Sequence, residues 1–351
     1  KFLDTIILSL FGFAFSPREE YLILRLFQET VALEASKATG EIRSFFNNSS
    51  GILPKMIMSY TRRLQGQAFL QKVLYDKIID PILSDKTLNL ELAPQKILRS
   101  MNPNEPSTVT AEKALENSQV KEALDNRKRR LTEICKNFLF TLIDNIKEIP
   151  YGLRWICKEL SNEMKKRYPN ASEDDLAHGL TFLIFFRFLN PAIAAPDAFS
   201  LTKKKISMEM RNNLVAVSKV LSNLVSNIQF APNDPYAIMN EWIGENYRPV
   251  YIEQVIKSMT SVEEPEEELG VTQYMEFTVT KTPTITITWN EVYSIHALLV
   301  EKMTKVCPEN EDPLRMVLKS ITAVPDQLEE NEEVAIQLVN PTGKASSSLD
   351  S

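Results

Sequence analysis

Apolar residues in most of the stretch 1–260 return every three or four positions, the spacing that lines one face of an α-helix. The plainest case is 118–148, where Leu124, Leu131, Ile134, Cys135, Phe138, Leu142 and Ile146 build one stripe. Arg127, Lys128, Arg129 and Arg130 fall early in that helix and read first as a solvated face, with a binding patch as the other reading. Polar punctuation divides the remaining helices. Ser16-Pro17-Arg18-Glu19-Glu20 is a helix start, with a capping hydroxyl, a proline suited to the first turn and acids at the positive end. Asn48–Gly51 reads as a loop, Ser84-Asp85-Lys86 as a break, and Asn102–Ser107 opens a polar excursion to about 118. Pro150 restarts a helix that runs to about Arg167, and Ala171–Asp175 is an acidic first turn leading into Leu176–Leu189. A further helix covers 208–228 and closes at Ala231–Pro235.

The pattern changes after about 260. Glu263–Glu268 is a charge run, read as a solvated linker. Thr284-Ile285-Thr286-Ile287-Thr288 alternates with period two and is rich in β-branched residues, so it is the best strand candidate. A helix from about Asn290 to Val306 follows. The reading is therefore an all-α, multi-helix domain over 1–260, a C-terminal extension over 261–325 with a short strand pair and a helix, and a flexible acidic and polar tail over 326–351.

Composition narrows the function. The 351 residues are 44% hydrophobic and 25% charged, ordinary globular values. Nine glycines are few for a dinucleotide-binding fold, and the 19 prolines sit mostly between the periodic segments. A formal charge of −6 gives no support for a nucleic-acid binder. Cys135, Cys157 and Cys307 share no metal-ligand spacing with each other or with His178 and His296, so a reducing, cytoplasmic setting fits. The apolar start, Lys1–Phe11, is interrupted by Asp4 and is read as a buried first helix instead of a targeting segment. No stretch reaches the roughly 20 apolar residues of a membrane span, and no direct membrane insertion is expected. No phosphate-binding glycine loop, nucleophile elbow or zinc motif occurs.

One segment is unusual. In Phe185-Phe186-Arg187-Phe188-Leu189-Asn190-Pro191-Ala192-Ile193-Ala194-Ala195-Pro196 a charged residue sits inside an apolar run. An enclosed guanidinium needs specific acceptors, and its fixed donors suit the carbonyls of a neighbouring loop; the alternative is an Arg that reaches the surface along its stem. Asn190-Pro191 reads as a helix stop.

This segment resembles the signature of Ras-type GTPase-activating domains, in which the Arg braces the loop that enters the GTPase active site. Three other stretches are similar to that family: Ile149–Leu160 to the helix before the signature, Ser218–Leu224 to a later element whose Lys faces the GTPase, and Arg18–Phe27 to the entry of the finger loop. Within the family the chain resembles the GAP-related domain of IQGAP proteins, through Arg18–Phe27, through Asn190–Phe199, and through Thr282–Pro313 downstream. The divergence of the intervening loops points to a fungal or otherwise distant member.

The resemblance implies specific roles and one departure. Active members place an Arg after the Leu-Phe pair of the finger loop, where its charge is worth about 10³–10⁵ in rate. Here Leu26-Phe27 is followed by Gln28, Glu29 and Thr30, and no residue from 26 to 36 is Arg or Lys. Arg187, Asn190 and Pro191 stand where the brace belongs, and Arg25, Lys219 and Asn223 where the GTPase would touch. The implied function is a non-catalytic domain that binds a GTP-loaded Rho-family small GTPase within an actin- and cytokinesis-associated scaffold, at the cell cortex or division site. It has no cofactor of its own, since GTP and Mg²⁺ belong to the partner, and its other partners are further regions of the scaffold. Two rivals stand beside it: an active Ras-family activator using Arg25, and a helical spacer that touches no GTPase.

Overall fold

The computed structural model describes residues 2–12, 16–47, 51–271, 284–321, 323–329 and 331–337. They form two compact units, one spanning Leu24–Glu264 and the other made of the terminal stretches Lys1–Ile23 and Pro265–Ser351. The division falls inside the long helix Pro17–Lys37. The first 23 residues therefore go with the C-terminal extension, and not with the helical domain in which the sequence reading placed them.

Helices build the larger unit. Ser118–Asp144, Tyr151–Arg167 and Met208–Ser226 lie where periodicity and punctuation put them. Each buries one apolar face, and the centre is aromatic: Phe27, Phe138, Trp155, Phe185 and Phe188 are fully enclosed. Phe138 meets Phe185 edge to face at 6.3 Å, and Phe69 packs on Phe188 at 5.7 Å. Gly179 lets two elements touch, since a Cβ there would stand 2.1 Å from the Phe46 ring. Buried Asn213 is satisfied by the extended segment it holds, accepting from the Leu90 N–H at 2.9 Å and donating to the Leu88 carbonyl at 2.8 Å.

The signature run departs from the expected helix stop. The chain stays helical from Glu173 to Ala194, with a wide-turned π-helical stretch at Phe182–Leu189 and an α-helical turn at Asn190–Ala194. A proline in a continuing helix lacks an N–H and crowds the carbonyl four residues back. The wide turns before Pro191 give that carbonyl other geometry, so the proline is accommodated instead of ending the helix. By length and composition this 22-residue helix could cross a membrane, contrary to the sequence reading, but 71% of its apolar window is packed inside the protein. It is a core helix.

In the smaller unit, β1 (Thr284–Thr288) pairs antiparallel with β2 (Glu333–Gln337), from Thr284 opposite Gln337 to Thr288 opposite Glu333. β2 thus lies in the stretch expected to be a flexible tail; residues 338–351 of that tail, and Asn48–Ser50 of the expected loop, lie outside the described residues. Thr288 and Glu291 cap the helix Trp289–Glu301 reciprocally, and Ser9 Oγ donates to Glu291 Oε1 at 2.8 Å. Ser16 and Glu19 form the same kind of cap at the start of Pro17–Lys37, as Ser16-Pro17-Arg18-Glu19 implies.

Candidate functional site

The finger segment is helix, not loop: residues 26–36 lie wholly within Pro17–Lys37. Phe27 turns inward and meets Tyr60 edge to face at 5.3 Å. Leu26, Glu29 and Leu33, at helical spacing, turn outward. The outward face of this segment therefore offers two leucines and a carboxylate. Thr30 Oγ1 donates to the Leu26 carbonyl at 2.8 Å, within its own helix. Arg25 is exposed, and its Nη1 donates to Gln28 Oε1 at 2.6 Å. Gln28 Nε2 in turn donates to Glu159 Oε1 at 3.3 Å, so one amide ties Arg25 to the helix Tyr151–Arg167.

Three residues that sequence reasoning missed hold this segment. Arg167 reaches the Ala38 carbonyl with two donors, Nη2 at 2.8 Å and Nε at 3.3 Å, just past the helix end. Such a fork fixes the direction in which the chain leaves the helix. Glu34 Oε1 accepts from the Ile52 N–H at 2.6 Å and so serves the first turn of helix Ile52–Thr61. Glu159 anchors Gln28. The signals were present, an Arg closing a basic helix end and carboxylates at helical spacing, but nothing local named their partners.

Arg187 is half-buried in the signature helix and lines a cavity of about 100 Å³ with Thr61, Arg62 and Pro191. That position is the C-terminal end of Ile52–Thr61, where a cation is favoured by the helix dipole. The fork on the chain that follows the finger helix belongs to Arg167. Asn190 Oδ1 accepts from Ser218 Oγ at 2.7 Å and couples the signature helix to Met208–Ser226.

Lys219 is paired within the chain. Its ammonium lies 3.0 Å from Asp234 Oδ2, 4.4 Å from the Tyr236 ring centre and 5.1 Å from that of Phe230. The turn after the helix thus wraps its charge with a carboxylate and two aromatic faces. Burial pushes the Tyr236 phenol up to about 12, so it stays neutral beside that pair. Asn223 is half-buried near the same helix end, and its carbonyl accepts from Ile228 N at 2.9 Å across the left-handed Asn227.

The run read as a solvated linker also contributes. Tyr151 Oη donates to the Glu263 carbonyl at 3.0 Å, and Lys158 Nζ to that of Val262 at 2.6 Å. Glu264 accepts from Trp155 Nε1 at 3.1 Å and pairs with Lys158 at 2.8 Å. The bond from Lys158, then that from Trp155, holds the Glu264 carboxyl below the usual range. The three thiols are buried, and burial pushes Cys157 up to about 12, which keeps it a neutral thiol.

Residues 26–226 match the family described as GTPase-activator protein for Ras-like GTPase. The chain belongs to this RasGAP family. The match opens at the outward-facing Leu26 and closes at the end of Met208–Ser226, so it spans the finger segment, the signature and the Lys219 helix. Two relatives are from Dictyostelium discoideum, the Ras GTPase-activating-like proteins gapA, 32% identical, and rgaA, 34% identical, each over 97% of this chain. Human Ras GTPase-activating-like protein IQGAP2 is 32% identical over 93% of it. Within the RasGAP family the relatives are thus of the IQGAP type. The chain spans 41% and 43% of the two Dictyostelium relatives and 21% of the human one.

Proposed function

We propose that this RasGAP domain is a non-catalytic GTPase-binding module of an IQGAP-type scaffold. It binds a small GTPase of the Rho family in the GTP form, and the nucleotide and Mg²⁺ stay with that partner. Through the scaffold it acts in the cytoplasm with the actin cytoskeleton, at the cell cortex or division site. A phosphoryl-transfer activator works by inserting a cation where charge develops. The observation that carries this reading is the finger segment of the matched region. It has neither Arg nor Lys from 26 to 36, and its outward face presents Leu26, Glu29 and Leu33. A carboxylate there opposes a phosphate, whereas the two leucines suit a partner's apolar switch surface. Arg187, Asn190 and Pro191 stiffen the cradle from behind. Arg25, Lys219 and Asn223 belong to the partner-facing side, Lys219 once the Asp234 turn releases it.

The test pairs two assays across Ras- and Rho-family GTPases: binding to GTP- and GDP-loaded forms, and the rate of GTP hydrolysis. The expected result is GTP-dependent binding to Rho-family members with no faster hydrolysis. Binding that ignores the nucleotide would favour a helical spacer. A competing reading as an active domain has one observation behind it, the exposed Arg25, but that guanidinium is held along its own helix by Gln28, which Glu159 anchors from helix Tyr151–Arg167.

A further inference from the structure

The smaller unit carries a surface held by several hydrogen bonds yet thinly covered. Helix Pro313–Ser320 is capped by Asp312, whose Oδ1 accepts from Leu314 N at 2.8 Å, and Arg315 Nη1 closes the preceding turn on the Cys307 and Pro308 carbonyls. The chain then runs back along Trp289–Glu301. His296 Nε2 meets the Ile321 carbonyl at 3.2 Å, and the Asn290 amide exchanges two hydrogen bonds with the Leu328 backbone, at 2.7 and 2.9 Å. Two fixed points seven residues apart make a built surface.

That surface is apolar where it faces out. Leu318 turns inward, but Leu314, Met316, Val317, Ile321, Val324 and Leu328 are exposed, Met316 by 60% and Val317 by 51%. Where exposed large apolar side chains adjoin one another, they form the kind of surface on which partners dock. The sequence that carries and borders these side chains is acidic. Glu309, Glu311, Asp326, Glu329 and Glu332 are all exposed, and the only bases from 308 to 333 are Arg315, turned to the backbone, and Lys319.

We propose that this surface docks a basic amphipathic helix, a segment with an apolar stripe on one side and Lys or Arg along its edges. The apolar face supplies burial and these acidic residues supply steering and sign selection. The same residues oppose a second copy of the surface, an anionic membrane and nucleic acid, because each would bring like charge. The site shares no residue with the finger segment and stands or falls apart from the GTPase reading.

The test uses the 351-residue chain and a fluorescent peptide of Leu and Lys set at helical spacing, with a Leu–Glu peptide of the same pattern as control. The Leu–Lys peptide binds saturably and more weakly as salt rises. Met316→Asp with Val317→Asp weakens it by about tenfold or more, and Glu309→Lys with Glu311→Lys weakens it by a similar factor while flattening the salt dependence. All four positions are exposed, so circular dichroism should match the parent, and each pair checks the other if one fails to fold. Equal binding of the Leu–Glu peptide, or unchanged binding in both pairs, overturns the proposal. So does a concentration-dependent dimer that the Met316/Val317 pair abolishes, since a second copy would then be the occupant.

Discussion

The signature helix and the finger helix lie in one matched family region, yet they spend their residues differently. Glu173–Ala194 turns Phe185, Phe188, Leu189 and Ile193 into the core and keeps one cation, Arg187, half-enclosed. In Pro17–Lys37 the stretch from 26 to 36 buries Phe27 and Val31, faces outward with Leu26, Glu29 and Leu33, and carries no cation. One helix builds the core; on the proposed function the other meets the partner without the charge that catalysis needs. Architecture and activity would then be separable in this domain, because they would rest on different side chains.

The largest expected effect breaks the cradle. Phe185→Ala removes a ring packed edge-on against Phe138 and Phe186, and should cost about 3–5 kcal/mol in denaturant unfolding. A loss below about 1 kcal/mol would mean that the signature helix is not the core element described. Next, Arg167→Ala removes the two-donor fork on Ala38 and should cost about 1–2 kcal/mol. Amide exchange near 38–42 should rise more than elsewhere; uniform change would show that the fork does not hold the finger segment.

Smaller effects sharpen the partner side. Lys219→Met removes the Asp234 pair and the ring contacts and should cost about 1 kcal/mol, part of it lost in high salt already in the parent. If Lys219 also meets the GTPase, binding weakens beyond what the stability change explains. Gln28→Arg alone should leave hydrolysis unstimulated, because position 28 points at Glu159, which would pair with the new guanidinium. The smallest effect is on pH. Glu264 has a folded pKa below its unfolded one, so its contribution is present at neutral pH and is lost as pH falls out of the ordinary carboxylate range through the lower folded value. Glu264→Gln should flatten the melting temperature on the acid side, and an unchanged acid profile would show the Glu264 contacts to Lys158 and Trp155 to be energetically idle.

Much of this was legible in the chain. Period and punctuation locate Tyr151–Arg167 and Met208–Ser226 within a residue or two and β1 to the residue, because one-sided burial imposes its spacing locally; the stripe read over 118–148 runs past the helix end at Asp144 into a separate short turn, Ile146–Glu148. Asn190-Pro191 misleads because the wide turns that absorb the proline depend on tertiary packing. β2 was missed because Glu333–Gln337 is a strand only by virtue of a distant partner, Thr284–Thr288. At the site, the missing cation was readable from residue identity alone. What was not readable was direction: that Gln28 turns to Glu159, that Lys219 is wrapped by Asp234, and that Arg167 supplies a fork.

The central claim is that this domain docks without completing the transition state, and single-turnover GTP hydrolysis by a bound Rho-family GTPase tests it most directly. The account predicts a rate equal to or below the intrinsic one at saturating domain, with Arg25→Ala making no difference. A rate raised tenfold or more and lost in Arg25→Ala would contradict it.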